Sequence, residues 1–437
     1  MPDFPDKLNS RAQTVIESAR VGGDSVPVIV RFTEARSAAN FSRQAESIGS
    51  HSVNWTYVTV PAVALSADAK GIDALLARED VAEIWYDEPV HTMLDSSVPV
   101  INAPKVWAQF GNRGEGVTVA IVDTGIDSDH PDFAGRITFT QDFTGSGSAE
   151  DGNGHGTHVA STVAGSGAAS GGKYVGVAPR ASIMAARVLG SDGSGSTSGV
   201  MAGVEWAAQN GADVINLSLG SDGNSDGKDA LSTLCNAVVD LGKVVVVAAG
   251  NAGPGAGSVG APGAATKVIT VGASDDGDRM ASFSSRGPTA DGRVKPDITA
   301  PGVKISAARA TGTSMGQAVD EHYTTAQGTS MATPHVAGLC ALLLHQEPGL
   351  LPADVKNRLK STAKNLGVGA NDQGSGRVDA LAAVAAGNST PPPPPPAPDP
   401  TPDPVPDPVP DPTPVPTPPP APVGCLGAVL QLFGLLR

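Results

Sequence analysis

From about residue 117 onward, apolar runs recur at regular intervals: VTVAIVD, ASIMAARVL, ADVINLSL, KVVVVAAG and KVITVGAS, separated by Gly-rich turns and longer segments of helical spacing. A strand covered on one face alternates apolar and polar residues, whereas these runs hardly alternate. Near-continuous β-branched runs belong to strands of a parallel sheet with helices over both faces. The expected fold class is therefore α/β, a three-layer domain with a mostly parallel central sheet and its site at the carboxyl ends of the strands. Upstream the pattern differs. Residues 26–34 read as a strand, 36–48 as a helix, 53–60 as a strand, 68–79 as a helix and 81–86 as a strand, with a further short strand at 62–66. This is a small α+β module, expected as a domain over 1–95, and the large domain should occupy 96–387. The polar, Pro-flanked stretch PVHTMLDSSVP between them, Pro89 to Pro99, suits a boundary.

After Gly387 the pattern collapses into PPPPPPAPDP and Asp-Pro steps at Asp399, Asp403, Asp407 and Asp411. Such a tract buries no core and is expected to be a disordered, self-repelling polyproline linker over 388–424. The final CLGAVLQLFGLLR, 425–437, is apolar but shorter than the roughly 20 residues a spanning helix needs. Docking on the protein, on a partner or on a membrane surface are equally open for it.

Composition narrows the classes. The 437 residues include 53 glycines and only 4% aromatics, which suits close backbone approaches in an α/β enzyme better than a helical bundle. A formal charge of −15 with 29 Lys and Arg disfavours nucleic acid or an anionic membrane as the main partner. Cys235, Cys340 and Cys425 are too widely spaced for a disulfide framework or a CxxC site. The opening MPDFPDKLNSRAQ has no apolar h-region, so no signal peptide is expected, and the compartment, secreted or intracellular, stays open.

Three polar islands interrupt this frame. Asp123 closes VTVAIVD, and a carboxylate at a strand end is costly unless something binds it. DGNGHGTHVAST, 151–162, delivers His155 and His158 to a helix start at i and i+3; spacing alone allows a two-His metal half-site, but no clear third ligand follows. GTSMATPHVAG, 328–338, puts Ser330 where a Gly-containing loop meets a helix start, with Pro334 expected in its first turn. A serine there faces the positive end of the helix dipole, where an oxyanion would be stabilised. An isolated serine of this kind would be an N-cap. Asp, His and Ser together, in this order at element ends, instead match nucleophilic catalysis: a base takes the hydroxyl proton and a carboxylate holds the base.

VAIVDTGIDSDHPDF, DGNGHGTHVAST and GTSMATPHVAG resemble the three signature blocks of the subtilisin-like serine protease family, over about residues 97–387. The resemblance implies a serine endopeptidase with His155 as base, Asp123 as orienting carboxylate and Ser330 as nucleophile. KVVVVAAGNAGP resembles the oxyanion segment, which would make the Asn251 amide a donor beside the Ser330 N–H. NLSLG (Ser218, Leu219, Gly220) and VLGSDGSG (Gly193, Ser194, Gly195) resemble the two edges between which a substrate strand adds. The stretch around Ala248 and Gly250, with SVGAPG and its Gly260, resembles the walls of a roomy, uncharged primary pocket, implying large apolar residues before the cut bond. The N-terminal module resembles a ferredoxin-like propeptide, implying a self-processing zymogen whose own propeptide is an intramolecular inhibitor, with processing near His91 to Ser97 and Leu94 as the best-fitting residue. Partners are then polypeptide substrates, and the chain is expected to be monomeric. No cofactor is required for the chemistry. The loop GSGAASGGKY lacks the oxygen ligands of a calcium site common in the family; the acidic loops IDSDHPDF and SDGNSDGKD leave structural calcium possible but unassigned, and no metal residue is named. The stretch ARATGTSMGQAVDEHYTTAQ resembles an insertion of some branches, whose Asp320, Glu321 and His322 are read as a solvated loop.

Overall fold

The computed structural model describes residues 7–8, 12–13, 15–17, 19, 25–48, 51–87, 89–92 and 97–387. The chain divides into two units, Met1–Thr390 and Pro391–Arg437. Only the first contains described residues, so the expected linker, the apolar tail and Cys425 lie outside them.

The N-terminal segment forms β1 (Val26–Phe32), α1 (Ala35–Ile48), β2 (His51–Thr56), β3 (Ala62–Ala67), α2 (Ala69–Leu76) and β4 (Val81–Tyr86). The strands make one antiparallel sheet in the order β2-β3-β1-β4, the ferredoxin-like arrangement. The strand expected over 53–60 stops at Thr56, and the short one at 62–66 becomes a central strand. Pro61 offers no ladder donor between them, and the turn is closed by the Tyr57 N–H on the Ala62 carbonyl, 2.9 Å. Alternation decides what each face covers. Val28, Val30 and Phe32 join Val63, Leu65, Ile72 and Ile84 in the module's own core. Ile29, Ala62, Ala64 and Trp85, on the other face, join a core that belongs to the large domain.

The large domain opens with α3 (Ala103–Phe110), β6 (Thr118–Asp123), β7 (Ile137–Asp142), α4 (His155–Ala164), β8 (Ser182–Arg187), β9 (Ser194–Ser196) and α5 (Thr197–Gln209). It continues with β10 (Val214–Leu217), β11 (Leu219–Gly220), α6 (Ala230–Asp240), β12 (Val244–Ala248), β13 (Ile269–Ser274) and β14 (Ile298–Pro301). Seven strands form a parallel sheet, ordered β14-β13-β12-β10-β6-β8-β7. Two of them were not among the apolar runs. β7, ITFTQD, is a largely exposed edge, and β14, ITAP, is four residues long and ends in proline. Within β6 and β12 successive residues face opposite cores: Val119, Ile121, Val244 and Val246 join the core that holds α3 and α4, whereas Ala120, Val122, Val245 and Val247 join the one that holds α5 and α6. Burial on both faces explains the missing alternation.

The insertion at 308–327 is ordered as a small sheet, β15 (Val303–Ala308), β17 (Tyr323–Gln327) and β16 (Gln317–Ala318) in that order, and β17 leads directly into α7 (Thr329–Gln346). The chain then adds α8 (Pro352–Ser361) and α9 (Ala380–Gly387), which pack Val355, Leu359 and Ala380 into the same core as α7. Cys235 and Cys340 are buried thiols, pushed up by that burial. Among the described residues no helix is long and apolar enough to cross a membrane.

Candidate active site

Asp123 is the last residue of β6 and His155 the first of α4, and both are fully buried. His155 Nδ1 lies 2.6 Å from Asp123 Oδ1, which also accepts the Thr124 N–H at 2.8 Å. His158, the other histidine of the motif, binds the Ile305 carbonyl instead, 3.1 Å through Nε2. Glycine is required for this approach. A Cβ on Gly156 would collide with the Gly125 carbonyl, so only a bare α-carbon lets the start of α4 close on the end of β6.

The loop before His155 is held by a residue that sequence reading passed over. Asp151 accepts the N–H groups of Asn153, Gly154 and Thr157 at 2.8–3.0 Å and the hydroxyls of Thr157 and Thr124 at 2.7 and 2.8 Å. A carboxylate caps the first turn of α4 and ties it to β6 at once. The signal was present as Asp151 followed by Gly-rich residues and Thr157, the pattern of a cap before a helix.

Ser330 is the second residue of α7 and fully buried, its Oγ donating to the Ser218 carbonyl at 2.8 Å. Pro334 does not sit in the first turn as expected. Because α7 starts at Thr329, Pro334 lies inside the helix, where its missing N–H would otherwise meet the Ser330 carbonyl. Asn251 follows β12, and its Oδ1 accepts the Thr329 N–H at 2.9 Å and the Thr329 hydroxyl at 3.0 Å. A backbone N–H can only donate, so the oxygen of the amide must face Thr329 and its NH2 must face away.

The remaining predicted residues frame a groove. Ser194 and Gly195 lie on β9, with Gly193 before it, and Leu219 and Gly220 form β11, with Ser218 before it. Between them runs β5 (Pro89–Thr92), antiparallel to both in the order β11-β5-β9. His91 pairs with Gly220 and Ser194, Thr92 with Leu219, and Val90 with Gly195. Leu94 lies outside the described residues. Ala248 ends β12, and the Gly250 N–H reaches the Thr329 hydroxyl at 3.2 Å. Gly260 serves backbone packing rather than open space, because a Cβ there would strike the Ser221 carbonyl.

The module's grip on the large domain was also not foreseen. Glu205 Oε1 on α5 accepts the N–H groups of Val58 and Thr59 at 2.7 and 2.5 Å. Asp87 accepts the Ser198 N–H in the first turn of α5 at 2.5 Å, and Tyr57 donates to the Ser198 carbonyl at 2.8 Å. Burial raises the Asp87 carboxyl to about 6.

Three carboxylates of the two acidic loops have protein donors. Asp127 accepts the Thr311 N–H, Asp132 the Tyr323 hydroxyl, and Asp229 caps α6 through the Ser232 N–H. Asp320 accepts the N–H groups of His322 and Tyr323, while Glu321 pairs with His322 at 3.1 Å on the surface.

A carboxylate–imidazole pair and a serine at separate element ends of one parallel sheet, beside a groove that already takes a peptide strand, define a serine hydrolase that acts on polypeptide. Sequence comparison narrows this class. The Subtilase family profile matches residues 114–378. Serine protease AprX of Bacillus subtilis is 40% identical over 326 residues, covering 69% of this chain and 74% of the relative. The alkaline protease of Alkalihalobacillus alcalophilus is 36% identical over 389 residues, 87% of this chain and 95% of the relative. Subtilisin DY of Bacillus licheniformis is 44% identical over 274 residues, 62% and 91% of the two chains. The chain belongs to the subtilase family and is a subtilisin-like serine endopeptidase.

Proposed function

We propose that the chain is a self-processing zymogen whose processed form cuts peptide bonds through Asp123, His155 and Ser330. Asp123 holds His155 by Nδ1, so Nε2 is the atom that takes the Ser330 proton as Oγ attacks the carbonyl carbon. The carbonyl oxygen becomes an oxyanion, met by the Asn251 NH2 and the Ser330 N–H. Collapse of the tetrahedral species expels the amine, which receives the proton from His155, and water repeats the sequence on the acyl-enzyme. Each proton moves between groups of this chain, the substrate and water, so the chemistry calls for no cofactor. Structural calcium stays unassigned, and the working species is a monomer. The uncharged walls at Ser218–Gly220 and Ala248–Gly250 favour a large apolar residue before the cut bond.

The observation that carries the zymogen reading is the place of β5 between β9 and β11, where an extended substrate would add by main-chain pairing. The module is thereby its own enzyme's first substrate and then its inhibitor. The strand ends at Thr92 opposite Leu219, one residue from Ser218, whose carbonyl touches the nucleophile. We expect processing just beyond this strand, between His91 and Ser97, with Leu94 the best-fitting residue.

Intact mass and peptidase activity, followed over time for wild type and Ser330→Ala, test this. Wild type should lose the module and gain activity, while Ser330→Ala stays whole and silent. Processing of Ser330→Ala in isolation, or an active wild type that never loses the module, would refute it.

A further inference from the structure

We propose that Asn216 and the Ser218 hydroxyl form a positioning relay that fixes the nucleophile from the centre of the sheet; this rests on the reading of Ser330 as nucleophile. Pro334 has no N–H, so the regular i+4 donor to the buried Ser330 carbonyl is missing from α7. Ser218 Oγ supplies it at 2.7 Å. That hydroxyl has one hydrogen, already committed, so its bond to Asn216 at 2.9 Å must run from Nδ2 to Ser218 Oγ. The order of donation is therefore Asn216, Ser218, Ser330.

Two features mark the relay as more than local satisfaction. Asn216 is a fully buried polar residue in an otherwise apolar strand, VINL, paired on both sides by β6 and β12, and its Oδ1 has no hydrogen bond among the described residues. A half-satisfied amide at the middle of a sheet is costly unless its position is needed. Ser218 and Ser330 also hold each other reciprocally, since the Ser330 hydroxyl returns to the Ser218 carbonyl at 2.8 Å. With Asn251 bonded to the Thr329 N–H on the other side, the Ser330 α-carbon is pinned from both directions. Rotation about χ1 alone can then turn Oγ away from the Ser218 carbonyl without moving the backbone. The relay touches no substrate atom through its side chains, so it positions rather than catalyses.

The test compares wild type, Ser218→Ala, Ser218→Thr and Asn216→Asp as processed enzymes, with Ser330→Ala as the blank. Ser218→Ala keeps the backbone carbonyl that faces the substrate strand but loses the donor. Its kcat should fall on the order of 10- to 100-fold, the scale of a small misplacement of a reacting group, with KM within about twofold. Inactivation by phenylmethylsulfonyl fluoride, which needs Ser330 but no peptide strand, should slow in parallel. Ser218→Thr should recover most of the rate. Asn216→Asp, equal in shape, draws the Ser218 hydrogen to its own carboxylate and should lose rate like Ser218→Ala while its melting temperature shows it folded. Unchanged kcat in Ser218→Ala, no recovery in Ser218→Thr, or a lower kcat with unaltered reagent inactivation would overturn the relay. A wild type without peptidase activity would overturn the enzyme reading itself, and the relay with it.

Discussion

Glu205 offers the sharpest test of how the N-terminal module is held. It is only 7% exposed, and one carboxylate oxygen accepts two backbone N–H groups, from Val58 and Thr59, across the contact between module and α5. A hydrogen bond to a charged group contributes about 1.5–3 kcal/mol net, and two that share one oxygen contribute less than twice that. Glu205→Ala should therefore weaken docking by about 2–4 kcal/mol, roughly 30- to 1,000-fold in Ki. Glu205→Gln keeps a carbonyl acceptor and loses only the charge, so its loss should be about 3- to 30-fold. The assay adds the module as a separate chain to processed enzyme and reads residual hydrolysis of a chromogenic peptide. Melting of the processed enzyme should hardly change, because both hydrogen bonds given above end on the module. A Ki within twofold of wild type for Glu205→Ala, or equal losses for Ala and Gln, would refute the argument.

Other expectations follow from the same geometry. Asn251→Ala should lower kcat by about 10²–10³ with little change in KM; the figure is carried over from a subtilisin asparagine of this same role rather than worked from these distances. Asp87 has a docked pKa of about 6, above the ordinary carboxylate value of about 3.9, so docking takes up a proton. Its contribution is full below about pH 4 and lost as pH rises through about 6, and Ki measured from pH 7 down to 5 should tighten in wild type but stay flat in Asp87→Asn. Burial lowers His158 to about 3 and His335 to about 4, whereas both titrate near 6.5 when unfolded. The unfolded chain binds more protons between those values, so melting temperature should fall as pH drops from about 6.5 toward 4. Measured in Ser330→Ala to avoid autolysis, the fall should be shallower in His335→Gln; an equal slope would exclude the buried imidazole as its source.

Local chemistry and periodicity in the sequence determined a good deal. Unbroken β-branched runs reveal strands covered on both faces because burial on two sides leaves no polar position, and β6, β8, β10, β12 and β13 lie where those runs fall. Asp123, the His155/His158 pair and Ser330 stood out because polar residues at the ends of apolar elements need partners, whereas Asn251 was reached through the resemblance of KVVVVAAGNAGP to the oxyanion segment. What failed locally was what depends on an edge or a break: the exposed β7, the short β14, and Pro334, whose meaning turned on where α7 begins. Periodicity and spacing left the rest to tertiary structure. Spacing could not separate His155 from His158, because both lie near one helical face; the neighbour across the sheet did, a carboxylate for one and a carbonyl for the other. Nor could it show that Pro89–Thr92 becomes the middle strand between β9 and β11, or that Asn216, Ser218 and Ser330 form one chain of hydrogen bonds. Those contacts join residues far apart along the chain, and partners of that kind are chosen by the packing of the whole fold, which no window of sequence contains.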